Sequence, residues 1–409
     1  MNNYAVFILA TMVVAYLLDV ITGILNVRAL QPELPKEFTG VYDAEKYRKS
    51  QEYTRISSKF GLFVSTFDLI VTLTFWLMGG FTYVDTLVGS WSLSPIVSGL
   101  AFIGILVVAN GIISMPFGIY STFVIEERFG FNKTTVGTFI LDKIKALGLG
   151  LVLGVPVLAG ILWFFGSAGD LAWLYCWIAV TVFTFGLQFI APTWIMPLFN
   201  KFTPLEDGEL RSTLLAYAEK VNFPLQGIFV IDGSKRSARS NAYFTGFGKN
   251  KRIALYDTLI NNHSIEELTA VLAHEVGHYK RKHIFQSMAL SIVQSGIMFY
   301  MLSVFLNSKE LYSAFYVDTP SVYAGLVFFM MLYSPISTII GIGMNIFARK
   351  NEYEADDYAA VTTGKPESMI ATLKKLSADN LSNLTPHPLY VFLNYSHPTA
   401  LQRIVALRK

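Results

Sequence analysis

Charge is what this chain lacks most. Only 15% of its 409 residues are Asp, Glu, Lys or Arg, against about a quarter in an ordinary soluble domain. That shortfall excludes a water-facing surface over the whole chain. With 53% hydrophobic residues, it points to a polytopic membrane protein. The formal net charge is +3, and nothing in it marks a nucleic-acid partner. Cysteine is almost absent: Cys176 stands alone in the apolar run LAWLYCWIAV, so no internal disulfide framework and no cysteine metal cage can form. It reads as a small buried or lipid-facing hydrophobe. Histidine is scarce too, at six, and neither an internal repeat nor a low-complexity tract is evident.

Apolar runs, by contrast, are plentiful. Seven stretches approach the ~20 residues needed to cross a hydrocarbon core: 4–27, 60–80, 95–124, 144–166, 171–192, 284–306 and 321–347. The first is too long for the apolar part of a signal peptide and has no small-residue cleavage end, so it is expected to be retained. Lys and Arg crowd the connections 28–59 and 125–145, are missing from 81–94 and 167–170, and leave only Lys309 in 306–320. Positive residues stay on the cytoplasmic side, which places the N-terminus outside and the C-terminus inside. The triplet Asn132-Lys133-Thr134 then faces inward and escapes glycosylation.

The expected organisation has four parts. Residues 1–199 carry spans one to five, with cytoplasmic loops 28–59 and 125–145. Residues 200–283 form a cytoplasmic segment, residues 284–347 carry spans six and seven, and residues 348–409 make a mostly helical cytoplasmic tail. In 200–283 a short amphipathic helix precedes three strand-like runs, GIFVID, SNAYFTGF and KRIALYD, with a Gly248-Lys249-Asn250 hairpin signal between the last two. Ser264 and Glu267 then have the spacing of a capping box.

The helix so capped contains HEVGH, residues 274–278. Positions four apart share a helix face, so His274 and His278 can turn both imidazoles to one ion, with Glu275 beside them. Zinc favours nitrogen ligands, and a catalytic site keeps one position open for water. A third protein ligand is needed. His283 would fall on the far side of a continuous helix and is expected beside Lys280, Arg281 and Lys282 at the membrane–water boundary. The better source is ARKNEYEADDYAA, where Glu352 and Asp356 are four apart. One could bind the ion while the other accepts a hydrogen bond from a ligand histidine and sets its tautomer. Glu354 and Asp357 point elsewhere and read as solvated. Gly277, a poor helix former, implies close packing by a neighbouring element.

The chain resembles the integral-membrane zinc CAAX prenyl proteases, the a-factor-converting and prelamin-processing type. The resemblance rests on several blocks in order: EERFGFNKTT, PLFNKFTPL, KRSARSNAYFTGFGKNKRIALYDTLI, LAHEVGH, ARKNEYEADDYA and NYSHPTALQRI. It implies a mainly α membrane protein: seven transmembrane helices ring a large water-filled chamber, and a small α+β zinc metalloprotease domain sits on the cytoplasmic side. It further implies one Zn2+ held by His274, His278 and Glu352, with Glu275 as general base and Asp356 supporting the metal site. His397 and Arg403 match residues expected to stabilise the tetrahedral intermediate, and either can supply an oxyanion with a donor. Asn241 lies in the stretch that would hold the substrate backbone, and a strand edge at 241–244 suits an extended peptide.

The implied activity is endoproteolysis near the C-terminus of a prenylated CAAX protein or peptide, removing the C-terminal tripeptide alone or also cutting at an upstream site. A broader role in membrane-protein quality control uses the same chemistry. A non-catalytic chamber or carrier with structural zinc would need a fourth protein ligand and has no use for Glu275. An ion transporter would need paired charges or matched broken helices in two halves, which the chain does not show. The expected location is an endoplasmic-reticulum or bacterial inner membrane. Asp19 and Asp68 fall inside expected spans, where charge facing lipid costs at least about 2.5 kcal/mol; they face water in the chamber or make interhelical hydrogen bonds.

Overall fold

The computed structural model describes residues 1–245 and 251–409. Among these residues, seven helical stretches are long and apolar enough to span a membrane: Asn3–Arg28, Ala44–Leu77, Pro95–Glu126, Val136–Ser167, Gly169–Leu198, His283–Phe305 and Val322–Thr363. All seven expected spans are there, but several are longer than hydropathy alone implies, the second and the seventh most of all. The second begins at Ala44, where the Asp43 side chain accepts a hydrogen bond from the Lys46 amide at 2.6 Å. The basic run read as loop is therefore mostly helix, because its many Lys and Arg report the side of the membrane and not the backbone state. The seventh runs unbroken for 42 residues. It carries span and tail on one rod, so Glu352 and Asp356 are held by a helix that is anchored in the bilayer.

At the end away from HEVGH, Trp76, Phe81, Phe102, Phe299, Phe315 and Phe328 form one buried cluster. Its centre is a parallel stack of Phe315 on Phe328 at 4.0 Å, and the Trp76 indole N–H donates to the Ala314 carbonyl at 2.9 Å. Between the ends, the most apolar window of each span is only 6–28% buried. Most side chains in these windows therefore face lipid or an open interior instead of one another. Asp19 accepts a hydrogen bond from Ser65 at 3.0 Å, joining the first two spans; Asp68 is exposed.

At the opposite end sits a four-stranded sheet, order β1-β2-β4-β3. Its strands are β1 (Phe202–Pro204), β2 (Leu225–Ile231), β3 (Ala242–Thr245) and β4 (Lys251–Tyr256). Three match the expected strand-like runs. β1, too short to show alternation, was not legible, and the expected 248–250 turn lies outside the described residues. β3 pairs with β4 alone among the described strands, which leaves it at the sheet edge. The HEVGH helix (Ile265–Lys280) packs Leu268, Leu272 and Val276 into a core with Leu214, Phe223, Ile253 and Leu255. The tail docks back on the membrane part. Glu37 takes hydrogen bonds or ion pairs from Lys374 and Arg408 at 2.6 Å each, and these two cations hold its carboxyl below the ordinary range. Buried Asn26 accepts from the His387 amide at 3.2 Å.

Gly277 is where the HEVGH helix meets the seventh span. A Cβ there would stand 3.0 Å from both the Cα and the carbonyl oxygen of Ala355. Gly277→Val is therefore expected to cost about 1–3 kcal/mol by overpacking, read as a lower thermal midpoint. Because the two helices that carry the His and Glu donors would be pushed apart, metal retention should fall with it.

Candidate metal centre

The site is assembled by two helices. The first is started by a complete capping box: the Ser264 hydroxyl accepts from the Glu267 amide, and the Glu267 carboxylate accepts from the Ser264 amide at 2.8 Å. It presents His274 and His278 one turn apart. The second, the seventh span, supplies Glu352 from the turn that follows its membrane part. His274 Nε2 and His278 Nε2 are 3.1 Å apart. The Glu352 oxygens stand 3.2 Å from His278 Nε2 and 3.5 Å from His274 Nε2.

These separations can be tested against a metal. Ligand atoms ~2.0–2.1 Å from zinc at tetrahedral angles stand about 3.3 Å from one another, which is the spacing observed. The chemistry of the set, two imidazole nitrogens and a carboxylate oxygen, also suits zinc. Among the described residues these three alone form such a cluster. Glu352 Oε2 is buried and accepts no hydrogen bond, although Arg403 Nη1 lies 3.2 Å away. The residues fit the ion.

Asp356 holds the other face of His274, with Oδ1 2.9 Å from Nδ1. This directs the Nδ1 proton to the carboxylate and leaves Nε2 free for a ligand bond. Burial opposes a charge on His274, yet the Asp356 and Glu352 carboxylates outweigh it and lift its pKa to about 9. Arg403 is buried and donates from Nε and Nη2 to the two Asp356 oxygens at 2.7 and 2.5 Å, with Nη2 3.4 Å from His274 Nδ1. Asp356 and Glu352 raise its pKa further against the opposing effect of burial. Its guanidinium is thus engaged with the site's own carboxylates instead of being aimed at an open position.

Glu275 lines a cavity of about 840 Å³ together with His274, His278, Glu352 and His397. Burial pushes its carboxyl up, against the pull of the two histidines. His397 is 64% exposed at the side chain, with Nε2 3.4 Å from Glu352 Oε1. It also borders a second cavity of about 800 Å³ that includes Asn241, Asn380 and Ser396. Ala242, Tyr243 and Phe244 of β3 line the first cavity, so the edge strand runs beside the donors. Asn241 sits just before it, its carbonyl accepting from the Tyr256 amide at 3.1 Å.

Two sequence expectations are overturned. His283 does not lie at the far side of the helix among the lysines. Lys282 adopts a left-handed conformation, φ 61°, which ends one helix and starts the sixth span at His283. The side chain is turned back and buried, with Nδ1 3.0 Å from His278 Nδ1. Glu354 is not simply solvated either, since its Oε2 lies 3.1 Å from His283 Nε2. Lysine seldom takes positive φ, so no local signal marked the break. Asp357 is 67% exposed at its side chain, as expected.

Residues 23–201 match the family model described as CAAX prenyl protease N-terminal, five membrane helices, and residues 204–409 match peptidase family M48. The chain is 38% identical to the CAAX prenyl protease 1 homolog of Arabidopsis thaliana, over 97% of this chain and 95% of that one. It is 36% identical to CAAX prenyl protease 1 of Saccharomyces cerevisiae, over 92% and 89% respectively. The fold is similar to the crystal structure of S. mikatae Ste24p, with TM-score 0.94, 34% identity and full coverage of both chains.

Proposed function

Because the chain belongs to peptidase family M48, as an integral-membrane metallopeptidase with the CAAX prenyl protease N-terminal helices, we propose that it cleaves prenylated CAAX proteins or peptides near their C-termini using one zinc ion. The observation that carries this reading is the trio of His274, His278 and Glu352 donors at tetrahedral spacing, facing a cavity shared with Glu275 and bordered by the β3 edge. A structural zinc site would be closed by a fourth protein ligand, and no such donor completes the cluster among the described residues.

In this reading His274, His278 and Glu352 hold the zinc. When bound, it polarises the scissile carbonyl and lowers the pKa of water towards about 7. Glu275 takes the proton of the attacking water and delivers it to the leaving amine. Its raised pKa suits a group that must hold a proton between the two steps. His397, exposed at the junction of the two cavities, donates to the developing oxyanion. Arg403 clamps Asp356 and Glu352, a positioning role that replaces the oxyanion role expected beside His397. The β3 edge, with Asn241 at its start, binds the substrate as an added strand. The positive-inside pattern supports an N-terminus outside and the site on the cytoplasmic face.

The test is cleavage, by the purified full chain, of two peptides of one CAAX sequence, farnesylated and unmodified, after reconstitution with zinc. Cleavage of the farnesylated peptide near its C-terminus, with one zinc per chain, is expected. Equal cleavage of both peptides would remove the prenyl requirement and favour a general membrane protease. A chain that binds no zinc would overturn the reading of the site.

A further inference from the structure

Each ligand histidine must carry its one proton on Nδ1 if Nε2 is to bind a metal. For His274 the partner that holds this proton is the Asp356 carboxylate at 2.9 Å. His278 has no carboxylate at its Nδ1. It has instead the Nδ1 of His283, 3.0 Å away, and the two rings meet edge to face at 75°. Two nitrogens at that distance share one hydrogen. With the proton on His278 Nδ1, His283 Nδ1 must accept it, so the proton of His283 lies on Nε2. That nitrogen is 3.1 Å from Glu354 Oε2, a carboxylate, which accepts.

We propose that His283 and Glu354 form a relay that holds His278 in its metal-binding tautomer, so that both ligand histidines are backed by a carboxylate, one directly and one through a second imidazole. His283 is a positioning residue and not a fourth ligand. Its Nδ1 reaches the outer nitrogen of His278, away from the Nε2 atoms that converge with Glu352. Only 3% of its side chain is exposed, so water does not compete for the bond. The left-handed Lys282 aims it, by ending the HEVGH helix and turning the first residue of the next helix back. The relay is built from three elements, the HEVGH helix, the sixth span and the seventh, and it ties the metal site to two membrane helices.

The inference rests on His278 being a metal ligand, and the experiment separates the two. Zinc affinity of the metal-stripped full chain in detergent is measured by competition with a chromophoric chelator, alongside thermal unfolding. His283→Leu, close in volume but without a hydrogen bond, is expected to weaken zinc 10–100-fold. His283→Asn keeps an acceptor near the Nδ1 position and is expected to stay within about threefold of wild type, an order of magnitude better than Leu. Glu354→Gln should fall between them. In a His278→Ala background, His283→Leu should change zinc affinity no further. Wild-type affinity in His283→Leu, or equal loss in the Asn and Leu variants, would overturn the relay and leave a packing role. Wild-type protein that binds no zinc would overturn the metal reading itself.

Discussion

Glu275→Gln is expected to lower kcat for peptide cleavage by at least about 10³-fold, within the range that a positioned acid–base group contributes, while the chain keeps its zinc. The reason is geometric. Glu275 lines the cavity but is not one of the three converging donors, so losing its charge should leave the ligand set intact. Glutamine keeps the volume and the helix propensity, so the fold should hold. Peptide turnover and zinc content, measured on the same preparation, decide the matter. Loss of both together would mean that Glu275 helps to bind the ion. Full activity with zinc in place would assign the base to another group.

Arg403→Leu should act through the site's framework. Arg403 is the cation that neutralises two buried carboxylates, in a bidentate pair with Asp356 and at 3.2 Å from Glu352. Removing one partner of a buried pair leaves an uncompensated charge, at a cost of about 3–5 kcal/mol. The expected result is a thermal midpoint lower by several degrees, with zinc held less tightly as Asp356 loses its hold on His274. Lysine should restore little, because it cannot form the two-pronged contact. Unfolding in detergent and chelator competition measure both effects. If Arg403→Leu instead kept its midpoint and its zinc and lost only kcat, the residue would act on the reaction, as the sequence resemblance implied.

Membrane class and number of spans were legible without a structure, because a 30 Å hydrocarbon layer demands long uncharged runs and the chain has seven. The HEVGH spacing was equally plain, since a helix must put residues four apart on one face. The strand-like runs alternated enough to be seen, except β1. What failed was local and followed from backbone changes without a sequence mark. The basic stretch after residue 43 carries good helix formers and continues into a span, while a single left-handed lysine breaks the next helix where periodicity assumed continuity.

The amino-acid sequence by itself thus determined the chemistry available: which side chains can bind a metal, which can move a proton, and that they stand beside a membrane. Spacing along the helix left open which of Glu352 and Asp356 converges with the histidine nitrogens. The resemblance pointed to Glu352, and the packing brings its oxygens to 3.2 and 3.5 Å from them while Asp356 meets Nδ1 of His274. Tertiary structure also set Arg403 against Asp356 and Glu352 and turned His283 back to His278. The convergence of the donors depends on how two helices are packed, through Gly277 on Ala355, residues 78 positions apart along the chain. Distances of 3 Å across such a contact are set by side-chain volumes in the core between them, and no pattern along one helix encodes them.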